Sequence, residues 1–290
     1  MKVATAAYPL DFLESWGHYE DKIAAWVKEA AEQGAELLVF PEYGAMELAT
    51  LAGTEAAGDL QRSTVAASER LDVADTLHAK LASEFNVHIL AASGPAVTDK
   101  GPVNRARLVT PTGAIGVQDK QIMTRFERDP WQIVGGDPLQ VFETALGKIG
   151  VLICYDAEFP LLGRALAACD LILVPSCTEA LSGYWRVRIG AMARALEAQC
   201  VTVMSSLVGE APWSEAVDIT TGTGGVFGPP DAGFPDDGVL ALGTLGQPGW
   251  TFADIDLSRV EAVRQDGRVL GRTHWTEQTG RESASIVNLR

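Results

Sequence analysis

The sequence predicts an α/β protein. Short apolar runs that end in proline or a turn alternate with amphipathic stretches of helical period, the pattern of a sheet with helices packed on it. One such unit recurs. Gly34-Ala35-Glu36-Leu37-Leu38-Val39-Phe40-Pro41-Glu42 and Asp170-Leu171-Ile172-Leu173-Val174-Pro175-Ser176 each follow a helical stretch and run acidic residue, four apolar residues, proline, polar residue. This weak internal echo points to two related halves rather than a second domain. The chain of 290 residues, 47% hydrophobic and 21% charged, can bury a large core.

The elements follow in order. Met1 to Tyr8 reads as a first strand ended by Pro9, and no long apolar stretch before a cleavage site marks a signal peptide. Tyr19, Ile23, Trp26, Val27 and Ala30 share one helical face, and Gly34 ends that helix. Ala35 to Phe40 is a buried strand closed by Pro41-Glu42. A second long helix carries Leu71, Ala74, Leu77, Leu81 and Phe85, and Asn86 to Ala92 returns as a strand. Val103 to Val109 and Ala114 to Val117 form a hairpin over Pro111-Thr112-Gly113. Lys148 to Ile153 is a strand, and Pro160 to Ala168 a helix that Pro160 can start. Asp170 to Ser176 is a strand, Gly183 to Ala198 a helix, and Cys200 to Met204 its strand. Val226 lies in a short strand among tight turns, Asp231 to Gly238 is a loop, and Trp250 to Ile255 is a late strand. Asp256-Leu257-Ser258 caps a short helix. From Thr276 the periodicity is lost, so residues 1–275 read as the folded domain and 276–290 as a tail, mobile or partner-contacting.

Composition excludes several classes. A net charge of −15 argues against nucleic acid and anionic membranes. No apolar run reaches membrane-spanning length. Cys154, Cys169, Cys177 and Cys200 are irregularly spaced, which suggests reduced thiols and a cytoplasmic setting. No spacing suggests zinc. Thr221 to Pro230 is glycine-rich but lacks GxGxxG spacing and a Walker lysine, against a nucleotide cofactor.

Three polar residues stand at element boundaries. Glu42 closes a strand at its C-terminal end, where open α/β sheets place their sites. Lys120 follows the hairpin. Cys154 ends the strand Ile149-Gly150-Val151-Leu152-Ile153, just before a helix start, where a thiol is biased toward thiolate. Each has a plainer reading: a solvated carboxylate, a surface lysine, a small buried residue.

Together they resemble the nitrilase superfamily, the carbon–nitrogen hydrolases, whose hallmark is a Glu-Lys-Cys triad. The resemblance spans nearly the whole chain. Its pieces are Phe40-Pro41-Glu42, Lys120, Gly150-Val151-Leu152-Ile153-Cys154-Tyr155-Asp156, Pro175-Ser176-Cys177, Trp185, Ala193 to Glu197, Gly225 to Pro229 and Ala253 to Leu257. Glu127 sits where many members carry a second glutamate. Cys154-Tyr155-Asp156-Ala157-Glu158-Phe159-Pro160 resembles the amidase-type branches, whereas true nitrilases usually carry Cys-Trp-Glu-Asn. The resemblance implies a four-layer αββα sandwich that pairs with a second subunit through helices, as a homodimer or larger homo-oligomer.

It also implies a chemistry: a small amide cleaved through a cysteine thioester, releasing ammonia or an amine and a carboxylic acid, without cofactor or metal. Glu42, its pKa raised by burial, would move the protons. Lys120, charged, would hold the oxyanion with the Tyr155 backbone N–H. Glu127 would orient substrate or Lys120, its plainer role being a surface partner of Arg125 or Arg128. Tyr43, Cys177, Thr178 and Trp185 are candidate pocket walls, while Cys169 and Cys200 are structural. The alternatives are an N-carbamoyl hydrolase, a nitrilase, or a non-catalytic partner-binding protein on the same fold.

Overall fold

A computed structural model describes all residues, Met1–Arg290. Its thirteen strands are β1 (Lys2–Pro9), β2 (Leu37–Val39), β3 (His88–Thr98), β4 (Gly101–Val109), β5 (Ile115–Asp119), β6 (Phe142–Thr144), β7 (Gly147–Val151), β8 (Leu171–Ser176), β9 (Val201–Glu210), β10 (Ile219–Thr220), β11 (Gly225–Phe227), β12 (Val239–Leu242) and β13 (Gly249–Asp254). They run in the order β5-β4-β3-β2-β1-β9-β8-β7-β6, with β13 beside β1 and both β10 and the β11-β12 pair beside β9.

The join between β1 and β9 explains the shape. The first part of β1, Val3–Thr5, pairs parallel with β2, while Ala7–Pro9 pairs parallel with Ser206–Val208 of β9. The sheet therefore splits into two halves that share only these strand ends. In the first half, β1 and β2 alternate sides. Ala4, Ala6, Tyr8 and Leu38 share a core with Tyr19, Ile23 and Val27 of α1 (Trp16–Glu32). Val3, Leu37 and Val39 instead share a core with residues of β7, β8 and β9. This period-2 switch from helix-facing to sheet-facing is what buries both faces of a central strand. The result is the αββα sandwich that the resemblance implied.

Helices complete the outer layers. After α1 come α2 (Glu47–Thr50), α3 (Thr54–Ala57), α4 (Leu60–Ser68), α5 (Leu71–Phe85), α6 (Arg125–Arg128), α7 (Pro160–Ala165), α8 (Leu181–Ala198), α9 (Leu257–Asp266) and α10 (Gly271–His274). Asp256 caps α9 by accepting from Ser258 N–H, as its sequence suggests. The structure differs from the sequence expectations in extent. The strands β3 and β9 run on past Ala92 and Met204 to Thr98 and Glu210. The helix from Pro160 stops at Ala165, so Cys169 lies beyond it, and β9 begins after Cys200. Helices α2 to α4 and strand β12 were not anticipated. A short 3₁₀ turn, Trp275–Gln278, follows α10, and residues 279–290 contain no helix or strand.

Candidate active site

Three loops deliver the site, two from the first half of the sheet and one from the second. Glu42 follows β2, Lys120 follows β5, and Cys154 opens a 3₁₀ turn, Cys154–Glu158, just after β7. All three side chains are buried, yet all line one cleft of about 690 Å³. Cys154 has φ of 51°, a left-handed conformation uncommon for a residue with a Cβ. The turn behind it packs closely on α8. A Cβ at Gly190 would sit 2.8 Å from the Ala157 carbonyl oxygen, so only glycine permits that approach.

Lys120 is 1% exposed and spends its three donors on two carboxylates. It reaches Glu42 Oε1 at 2.7 Å and Glu127 Oε1 and Oε2 at 2.8 and 2.7 Å. Burial alone would favour the neutral amine, but the charges of Glu42 and Glu127 outweigh it and hold the ammonium well above its ordinary pKa. Glu127 is buried as well, so it is no surface partner of Arg125 or Arg128. Besides Lys120, it accepts from the Tyr43 hydroxyl at 2.7 Å and from the Thr124 N–H and hydroxyl, both at 2.8 Å. Burial pushes its carboxyl up, but Lys120 and these donors more than offset that, and the pKa is lowered.

Glu42 differs. Its Oε1 accepts from Lys120 and from Asn104 Nδ2 at 2.9 Å, and its Oε2 accepts from the Cys177 N–H at 2.9 Å. Burial dominates here and, with Lys120 opposing and Glu127 adding to it, raises the pKa to about 7. Two buried carboxylates beside one lysine are thus driven apart: one stays ionised, the other is poised for proton transfer.

The Cys154 thiol corrects a sequence expectation. Its pKa is raised well above the ordinary value, by burial first and by the Glu42 charge second, with Lys120 only partly opposing. The five-residue 3₁₀ turn is not the helix start that would favour thiolate; the α-helix begins only at Pro160. Cys154 therefore rests as a neutral thiol.

The remaining candidates divide. Tyr43, Tyr155, Cys177 and Thr178 line the cleft. Trp185 does not. Its neighbour Tyr184 takes the buried position on α8, and one residue along a helix turns Trp185 away, leaving it 46% exposed beneath the Arg188 guanidinium. No group of three or more His, Cys, Asp or Glu side chains is placed to hold a metal ion.

Sequence reasoning missed two buried positions. Asn104, a polar residue at a buried position of β4, touches Glu42 directly. Asp156 accepts from the backbone N–H groups of Gln121, Ile122 and Ile153 at 2.8–3.2 Å. It pins the Lys120 loop to the Cys154 turn, with its pKa raised to about 6 by burial. Both stood in the quoted or adjacent sequence, but nothing in a single chain marks a polar residue on a strand or in a turn as a site contact.

Comparison with known proteins shows the family. The model of the carbon-nitrogen hydrolase family matches residues 2–265, and the chain belongs to that family. It is 33% identical over 273 residues to the probable hydrolase YhcX of Bacillus subtilis strain 168, covering 93% of this chain and 52% of that one; the chain thus spans about half of that relative's length. Among solved structures it resembles a carbon-nitrogen hydrolase from Helicobacter pylori G27, with TM-score 0.72 and 18% identity over 91% of this chain and 92% of the other. It also resembles a variant of the amidase from Nesterenkonia sp. AN1 that carries acrylamide added to its active-site cysteine, with TM-score 0.65 and 22% identity over 92% and 97%. No helix is long and apolar enough to cross a membrane.

Proposed function

We propose that the cleft hydrolyses a small carboxamide through a thioester on Cys154. The observation that carries this is the meeting of a buried thiol, a carboxyl with a pKa near 7 and a permanently charged lysine in one cleft. Glu42 takes the thiol proton as Sγ attacks the carbonyl carbon. The oxyanion is held by Lys120 and the Tyr155 N–H. Two of the Lys120 donors go to the same Glu127 carboxylate, so one can turn to the oxyanion without leaving either glutamate unpaired. Glu42 then returns the proton to the leaving nitrogen, ammonia or an amine departs, and the thioester forms. Glu42 next takes a proton from water as it attacks the thioester. The carboxylic acid leaves and the thiolate regains its proton. Glu127 positions Lys120. The hydrolase domain is residues 1–275 in this reading.

The cleft's charges narrow the substrate. Arg186 and Arg125, which both line it, are paired with Glu158 and Asp129, while Glu179, Glu215 and Asp218 line it without an ion-pair partner. We read the far end of the substrate as neutral or cationic rather than carboxylate. The outer face of α7 and α8 exposes Leu161, Leu181, Trp185, Ile189 and Leu196. An apolar surface of that extent supports pairing with a second copy.

The test is a panel of small carboxamides, nitriles and N-carbamoyl compounds with released ammonia as readout, plus carbon dioxide for the carbamoyl arm. Turnover of amides by the wild type and none by Cys154→Ala supports the reading. Preference for nitriles or carbamoyl compounds moves the enzyme to another branch. No turnover of any, with Cys154 alkylated by iodoacetamide no faster than Cys177, would favour a non-catalytic partner-binding protein.

A further inference from the structure

Asn104 is fully buried on β4 and does not line the cleft, yet it is bonded to both charged members of the triad. Its side-chain Nδ2 donates to Glu42 Oε1, and its backbone carbonyl accepts the Lys120 N–H at 2.9 Å. Its amide is itself held in one direction. The Tyr43 N–H donates to Ser93 Oγ at 3.1 Å, and the Ser93 hydroxyl donates to Asn104 Oδ1 at 2.7 Å. Turning the amide over would set Oδ1 against an ionised carboxylate oxygen, so the relay has one favourable sense.

The two oxygens of Glu42 are consequently unequal. Oε1 receives two donors, Lys120 and Asn104, and a proton there would face both. Oε2 receives one, the Cys177 N–H, and Cys154 Sγ contacts the same residue, donating to the Cys177 carbonyl at 3.7 Å. We propose that Asn104 is a positioning residue that dedicates Oε2 of Glu42 to proton transfer by occupying Oε1. This rests on Glu42 as the base of the proposed reaction. The proton leaves Sγ for Oε2 as the sulfur–carbon bond forms, and leaves Oε2 for the departing nitrogen as the carbon–nitrogen bond breaks. Asn104 gains and loses nothing.

An N–H aimed at a carboxylate also favours its ionised form. The other titratable groups whose charge bears on Glu42 are Lys120, Glu127, Cys154, Cys177 and Tyr43, and every variant below retains them. The probe is iodoacetamide, which alkylates the thiolate and releases iodide. The rate of Cys154 alkylation is followed by intact mass and peptide mapping from pH 5 to 9, in the full chain and in Asn104→Asp, Asn104→Ala and Ser93→Ala. Turnover of the best carboxamide is measured alongside. In the wild type the alkylation rate should rise through pH 7. In Asn104→Ala, which removes the N–H without adding a charge, the rise should move up by about one pH unit, and in Asn104→Asp, which sets a second carboxylate against Glu42 Oε1, by more. In Asn104→Ala kcat should fall roughly ten- to a hundredfold with KM within about threefold. Ser93→Ala, which frees the amide, should move the profile in the same direction by less.

A folded Asn104→Ala whose profile and kcat match the wild type overturns the proposal. So does a wild type with no rise near pH 7, or variants that lose melting temperature and turnover together without a pH displacement. If the wild type alkylates through pH 7 but hydrolyses no amide, the functional reading fails while the role of Asn104 in holding Glu42 stands.

Discussion

Glu127→Gln is the perturbation whose consequences follow most directly from the hydrogen bonds. Five contacts from donors fall on this carboxylate: two from Lys120, one from Tyr43 and two from Thr124. A glutamine offers one oxygen. If it faces Lys120 and Tyr43, its NH₂ meets the Thr124 backbone N–H, which cannot turn away because Thr124 and Glu127 cap α6 reciprocally. One backbone donor is then orphaned, at about 1–3 kcal/mol, and Lys120 loses a charged partner worth about 1.5–3 kcal/mol. The total is about 2.5–6 kcal/mol, or roughly 4–10 °C in Tm for a chain of this size. The sign follows the pKa. Glu127 is held below its ordinary value of 4.5, so its stabilisation is present above that pH and is lost as the pH falls through the native value. Thermal melts of wild type and variant at pH 7.5 should therefore differ by that amount, and the gap should narrow in acid. Activity should fall about a hundredfold or more, because Lys120 loses the partner that aims it. A variant that melts within 1 °C of the wild type and keeps a third of its activity would refute the reasoning.

Other outcomes follow from the same geometry. Lys120→Ala removes an oxyanion donor worth about 3–4 kcal/mol and should cost a hundredfold or more in kcat on the best carboxamide. The pH profile of kcat/KM should climb about tenfold per unit below pH 7 and level above it as Glu42 ionises, since its pKa is raised to about 7; a profile flat from pH 5 to 7 would contradict the assignment. Asp156→Ala orphans three backbone N–H groups and unties the Lys120 loop from the Cys154 turn, so melting temperature and kcat should drop together, by several degrees and at least tenfold. Ile189→Asp, on the exposed face of α8, should lower the solution mass toward that of one chain in light scattering.

The fold was legible where period and punctuation agree. The stretch Leu37 to Phe40 closed by Pro41, and the helical faces of α1 and α5, announce themselves because one element's burial repeats along the chain. The region from Glu47 to Ser68 did not, because α2 and α3 are each only four residues long and too short to show a period. Of the site, Glu42, Lys120 and Cys154 were readable as boundary residues matching a family pattern. Asn104 and Asp156 were not, because their contacts join residues far apart in sequence and no local rule places them. The thiol's state was misjudged for a related reason. Proximity to Pro160 suggested a helix end, while burial and the charge of Glu42, both products of the tertiary fold, set its pKa. Trp185 was misplaced by one residue of helical rotation.

The central claim is a covalent intermediate on Cys154, and its most direct test is intact mass spectrometry of enzyme quenched in acid during turnover of its best carboxamide. The account predicts an adduct of the acyl mass, mapped to the peptide that contains Cys154 and absent from Cys154→Ala. Turnover with no adduct in the wild type, and persisting in Cys154→Ala, would contradict it.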